Sequence, residues 1–273
     1  MFNNKNILLW IVSFAALCII FTNQLTLRNF PNSADEYSYI LAAKTFAEGV
    51  LSVPSPEYRE FFNIYHVIND GKFYSKYSPG WPFFLMIGEL SGFPAFSNLC
   101  FAILTLIITY KLSEMLFSER VAIIASLLMA TNSYFIFNSS SYFAHSSSHF
   151  FLLLFVYLYF RTYQTLKLRL LFLPGFVLGI AFLVRPLDAV IFGSCVFFYD
   201  IIIAFKDKST PKNALVGWLA LTPGLIISVI ILLHYNHIQT GEYSLMTFNR
   251  YNPNDTIGLQ YPYYDSFKWA LEN

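Results

Sequence analysis

The chain has 273 residues, of which 56% are hydrophobic and only 12% charged, with a mean hydropathy of +0.51. That is far from the roughly 25% charged content of soluble domains and places the chain among polytopic membrane proteins. The 17 Lys and Arg nearly cancel the 16 Asp and Glu, so there is no basic stripe and no acidic tail, and nucleic-acid binding is excluded.

From the N-terminus, Lys5 precedes an apolar run at 7–21, which suits a first spanning helix of near-minimal length. A cleaved signal is the competing reading. No small-x-small site follows the run, however, and Ala15-Ala16-Leu17-Cys18 puts a bulky Leu where a lipoprotein site wants a small residue. Next comes the one long polar segment, 31–82. It holds Asn32-Ser33-Ala34-Asp35-Glu36-Tyr37 at one end and Tyr74-Ser75-Lys76-Tyr77-Ser78-Pro79-Gly80-Trp81-Pro82 at the other. Within it, 35–49 reads as an amphipathic helix, with Ile40, Leu41, Phe46 and Val50 at helical spacing. The apolar stretch 83–90 is too short to cross a membrane and contains Glu89, so it is expected to lie in the interface or re-enter.

Later apolar runs at about 95–110, 121–137, 148–160, 170–184, 187–205 and 214–234 each suit one span, about seven in all with the first. Lys5, Lys111, Arg120, Arg161, Lys167, Arg169, Lys206, Lys208 and Lys212 fall on one side of this arrangement, whereas 138–147 has no Lys or Arg. By the positive-inside rule the N-terminus is cytoplasmic in a plasma (inner) membrane, and 23–80, 138–147 and 236–273 lie outside. The expected fold is all-α: a single transmembrane domain over 1–273 with a large first outer loop. The stretch 263–273 reads as the opening of a further helix, so the chain is expected to continue past Asn273. Cys18, Cys100 and Cys195 lie far apart inside apolar runs and read as buried small hydrophobes rather than as a disulfide or metal set.

Several charges need an explanation. Asp35 and Glu36 start the predicted loop helix, where a carboxylate is either a cap and first-turn acid or, at a membrane interface, a general base for a hydroxyl acceptor. Lys76, in a turn set by Pro79 and Gly80, either snorkels to headgroups or clamps a phosphate. Arg185 ends a span on the outer side, against the charge rule, as a residue facing a cavity would. His145 and His149 begin a span there four residues apart, so one helix face presents both imidazoles, for structure or for a metal.

These stretches resemble the GT-C superfamily of membrane glycosyltransferases, in particular the group of dolichyl-phosphate-mannose protein mannosyltransferases and aminoarabinose lipid A transferases. The likeness rests on the acidic motif 32–39 just after the first span, on the tyrosine-proline-glycine segment 72–82 and on Phe182-Leu183-Val184-Arg185-Pro186 at the outer end of a later span. It implies inverting transfer from a polyprenyl-phosphate sugar to a hydroxyl on a lipid, glycan or protein, on the outer face. Asp35 would be the base, with Glu36 its neighbour or alternative, and Lys76 and Arg185 would neutralise the leaving phosphate. Some relatives use a divalent metal ion near the base, for which His145 is the local candidate ligand. The competing class, a transporter or lipid flippase subunit, would want ionisable or Gly/Pro-broken helices at mid-membrane in an internal repeat. No such repeat is visible here.

Overall fold

The computed structural model describes residues 4–164, 168–206 and 211–253. Most of the expected outer tail, 254–273, lies outside the described residues, and so does its predicted helix start at 263–273.

Helix α1 (Asn4–Phe21) runs into one π-helical turn (Thr22–Thr26), and the loop after it carries α2 (Ala34–Ala47). Helices α3 (Gly80–Leu90), α4 (Ala95–Leu116), α5 (Glu119–Ala130) and α6 (Ser133–Ser140) follow. They are succeeded by α7 (His145–Gln164), α8 (Phe172–Val184), α9 (Pro186–Lys206), α10 (Pro211–Thr240) and α11 (Thr247–Tyr251). The all-α expectation holds with one addition inside the loop, a small antiparallel sheet. Its strands β1 (Val53–Pro54), β2 (Val67–Asp70) and β3 (Lys72–Ser75) are ordered β1-β3-β2. Gly71, at φ +75°, supplies the left-handed residue that joins β2 to β3.

Four described helices are long and apolar enough to cross a membrane: Asn6–Thr26, Ala95–Leu116, Pro186–Ile203 and Leu215–Thr240. The expected count of about seven is not reached among the described residues, for three reasons. The run at 121–137 is broken into α5 and α6, bent by 60°, so at most it makes a fifth span. The break is written in side chains: Thr131 Oγ1 bonds back to the Leu127 carbonyl at 2.9 Å, and Asn132 restarts the helix by accepting from the Phe135 N–H at 2.9 Å. Helix α7 opens with His145-Ser146-Ser147-Ser148-His149, which dilutes its apolar character. Helix α8 has 13 residues, about 20 Å at 1.5 Å per residue, short of a hydrocarbon core of about 30 Å.

The three segments expected on one side do meet at one end of the bundle. Asn23 donates to the Ser140 carbonyl at 2.7 Å, Gln239 to the Leu51 carbonyl at 2.7 Å and Lys72 to the Ile238 carbonyl at 2.5 Å. The 138–147 segment is no exposed loop: Ser139, Ser140, Ser141 and Tyr142 are all buried. Helix α2 differs from its expected face. It buries Tyr39, Ala42, Ala43 and Phe46 along α3, while Val50 lies beyond the helix and is exposed. Small residues make the close approach, and a search for bulky periodicity passes over them. The cysteine expectation is also corrected, since Cys195 is exposed on α9 and Cys18 and Cys100 are half-buried. Their helices turn apolar faces outward, as lipid-facing helices do.

Helices α8 and α10 approach most closely. A Cβ on Gly175 would meet the Leu221 carbonyl, one on Gly179 the Ser228 side chain, and one on Gly224 the Phe176 amide. Small residues four apart on facing helices let backbones touch, which drives association where lipid replaces water. Gly80 does the same for α3, its absent Cβ lying 2.5 Å from the Leu183 carbonyl carbon. That contact docks the turn after Lys76 beside the end of α8, next to Arg185. Gly224→Val is expected to cost about 1–3 kcal/mol of stability through overpacking against α8, whereas Gly193→Ala, whose Cβ would meet only the flexible end of Leu178 at 3.2 Å, should be nearly silent. Thermal unfolding of both variants in detergent checks this.

Candidate active site

Ser33 caps α2, its hydroxyl accepting from the Glu36 N–H at 3.2 Å, and the Glu36 carboxylate reaches back to the Asn32 N–H at 2.9 Å. This reciprocal pattern is close to a capping box. The other Glu36 oxygen accepts from the Tyr142 N–H at 2.9 Å, and the residue is only 1% exposed. Both oxygens of Glu36 are thus committed to backbone amides. One residue earlier, Asp35 turns to the opposite environment, with its side chain 40% exposed. Adjacent positions on a helix are about 100° apart, which is enough to put one carboxylate in the core and the other in the site.

Asp35 Oδ1 accepts from the Tyr77 hydroxyl at 2.5 Å and pairs with His66 Nε2 at 3.1 Å. The ring of Tyr77 stacks on Tyr39 with centroids 4.4 Å apart. Burial first, and then the bond to Asp35, push the Tyr77 hydroxyl well above its ordinary value, so it stays a proton donor to the carboxylate. Tyr39 is likewise pushed up by burial and then by the Asp35 charge, and it also feels Arg185 and Asp188. Tyr39 therefore lies within electrostatic reach of both the acid of α2 and the cation that ends α8. Among the described residues, Asp35 Oδ2 receives no hydrogen bond.

Arg185 leaves α8 with an extended backbone and pairs through Nε with Asp188 Oδ2 at 2.8 Å, both side chains about one-third exposed. Pro186 starts α9 immediately afterwards, so Arg185 and Asp188 are fixed across a helix junction. Lys76 is buried at 6% exposure, its ammonium 4.7 Å from the ring centre of Phe248, 4.9 Å from Tyr251 and 5.2 Å from Tyr77. Helix α11 is strapped over it: Thr247 donates to the Lys76 carbonyl at 2.7 Å, and Arg250 pairs with Asp70 at 2.6 Å.

His145 feels the charges of Arg185, Asp188 and Asp35, and its Nδ1 is buried without a hydrogen-bond partner among the described residues. With His149 it lines a cavity of about 380 Å³ against Leu128, Met129 and Phe135. Among the described residues no three His, Cys, Asp or Glu side chains come together as a metal's ligands would, so the two imidazoles alone do not make a ligand set.

The structure thus brings Asp35, Arg185 and His145 into mutual electrostatic reach, with Lys76 acting on the same site through His66. Glu36 is directed into the core beside them. Sequence reasoning missed His66, Tyr77, Tyr39 and Asp188. Tyr77 and Asp188 could have been found as neighbours of Lys76 and Arg185, but His66 lies in a loop with no pattern of its own.

The family model for dolichyl-phosphate-mannose-protein mannosyltransferase matches residues 82–234, more than half of the chain. The chain belongs to this family. It is accordingly a membrane glycosyltransferase of the GT-C type. The matched segment contains His145, Arg185 and Asp188, while Asp35, His66, Lys76 and Tyr77 precede it in the loop. No curated protein and no solved structure matches the chain.

The two neighbouring carboxylates should separate under substitution. Glu36→Gln puts an amide N–H₂ where a buried backbone N–H now finds an acceptor, at a cost of about 1–3 kcal/mol. Asp35→Asn keeps an acceptor for Tyr77 in a half-exposed position and should stay within about 0.5 kcal/mol of the parent. Unfolding midpoints in detergent measure both.

Proposed function

We propose that this mannosyltransferase-family protein transfers a sugar from a polyprenyl-phosphate donor to a hydroxyl acceptor at the bundle end formed by α2, the small sheet and α11. That end faces outward from the inner membrane. The observation that supports it most is the placement of Asp35, its side chain 40% exposed and its Oδ2 open, beside the Tyr39–Tyr77 stack, with Arg185 within electrostatic reach of the same Tyr39.

In the proposed reaction the acceptor hydroxyl gives its proton to Asp35 Oδ2 as its oxygen attacks the anomeric carbon. The new carbon–oxygen bond forms while the bond from that carbon to the phosphate oxygen breaks, and the electron pair leaves on the polyprenyl phosphate. Attack opposite the leaving group inverts the anomeric centre. Arg185 meets the phosphate directly, since its Nε is held by Asp188 and its terminal nitrogens have no partner among the described residues. Lys76 supplies a second positive charge from beneath its aromatic rings, in surroundings where water screens it little. Glu36 serves as a strut that fixes the start of α2 and so the direction of Asp35. The proposed steps run through side chains alone, and His145 contributes to the polar floor of the site.

Asp35→Asn should fold normally yet transfer sugar about 10²–10⁴-fold more slowly, the usual worth of a general base. The measurement is release of polyprenyl phosphate from polyprenyl-phosphate mannose by the full chain in liposomes, supplied in parallel with peptide, glycan and lipid hydroxyl acceptors. Near-parental transfer by Asp35→Asn would remove the assignment. For the orientation, single cysteines at the exposed positions Glu57 and Lys111, in a cysteine-free background, should differ, with only position 57 labelled by an impermeant thiol reagent in intact cells.

A further inference from the structure

His66 has a left-handed backbone, φ +66°, which side chains other than glycine rarely adopt. Three hydrogen bonds hold it there. Its N–H donates to the Tyr251 hydroxyl at 3.1 Å, and its carbonyl accepts from the Lys76 N–H at 3.0 Å and from Ser38 Oγ at 2.7 Å. Ser38 lies on α2 three residues after Asp35, so the helix that carries the acid also anchors the backbone of its partner. A strained residue that its surroundings over-determine in this way marks a functional constraint.

From these contacts we infer that His66 is a positioning residue for sugar transfer, holding Asp35 Oδ1 through Nε2–H so that Oδ2 faces the acceptor. The inference rests on the role of Asp35 proposed above. The tautomer follows from the surroundings. Nε2 faces a carboxylate, and Nδ1 is buried without a partner among the described residues, so the proton belongs on Nε2. A second proton would have to sit on Nδ1, which meets no acceptor among the described residues. Four groups face the imidazole from the packed elements: Asp35 on α2, Lys76 and Tyr77 on the turn before α3, and Tyr251 on α11. Burial first, and then the Lys76 charge, lower the proton affinity of His66, against the opposing pull of Asp35. A neutral donor orients the carboxylate without cancelling its charge, whereas an imidazolium would weaken it as a base.

The test compares His66→Gly, His66→Ala and His66→Gln in the full chain, with polyprenyl-phosphate mannose in liposomes as the probe. Glycine relieves the backbone and removes the imidazole, so His66→Gly should unfold at or above the parental temperature yet turn over about 10²-fold more slowly, the scale set by a misplaced catalytic group. The donor KM should change little. His66→Ala should lose turnover similarly, and His66→Gln, which keeps an N–H donor, should recover part of it. Nitrogen NMR of the parent should show His66 as the Nε2–H tautomer, titrating below the ordinary histidine range. Parental turnover by a folded His66→Gly, or titration of His66 at or above the ordinary range, would overturn the inference. With Asp35→Asn inactive, such a result would leave the base assignment standing, whereas an active Asp35→Asn would remove the base assignment itself.

Discussion

The buried carboxylate of Glu36 is the constraint on which the site depends. A carboxyl group at 1% exposure is costly unless its oxygens are satisfied, and here the Asn32 and Tyr142 amides satisfy one each, at the positive end of α2. Tyr142 is held from its other side as well, its carbonyl accepting from Trp81 Nε1 at 2.8 Å and its hydroxyl donating to Asn29 at 2.7 Å. One side chain thereby joins the start of α2, the start of α3 and the link between α6 and α7. Asp35, as the preceding residue, inherits its position from that knot.

Around this anchor the close helix contacts set the second half of the site. Gly80 brings the turn carrying Lys76 and Tyr77 against Leu183, two residues before Arg185. Gly175, Gly179 and Gly224 lock α8 onto α10, which fixes where α8 ends. Asn98 of α4 donates to the Ser141 carbonyl at 2.6 Å and to the Phe143 carbonyl at 3.0 Å, tying the same link to a spanning helix. The loop is therefore mounted on the membrane helices through buried polar bonds, which are hard to exchange where water is scarce. That rigidity holds Asp35 and Arg185 in fixed relation although they come from segments 150 residues apart in sequence.

A second polar cluster lies in the spanning helices. Asp200 of α9 is buried at 6% exposure and receives bonds from the Tyr159 hydroxyl and from Trp218 Nε1, the latter at 2.8 Å. It links α7, α9 and α10 as Glu36 links the helices at the site, again with neutral donors around a carboxylate.

The membrane class, the helical fold and the meeting of three segments at one end were legible in the sequence, because composition, charge asymmetry and Pro/Gly punctuation are local and one-dimensional. The number of complete spans was not, since the α5–α6 break depends on how Thr131 and Asn132 spend their hydrogen bonds, and α8 is short only because Arg185 and Pro186 end it where they do. Glu36 and Asp35 look alike as neighbours in a string; tertiary structure alone buried one and left the other half-exposed beside Tyr77 and His66, because only one of the two positions faces the Tyr142 amide. His66 was invisible for the same reason. Its value lies in a backbone bent by Tyr251, Lys76 and Ser38, residues up to 185 positions away, and no spacing in the sequence records that.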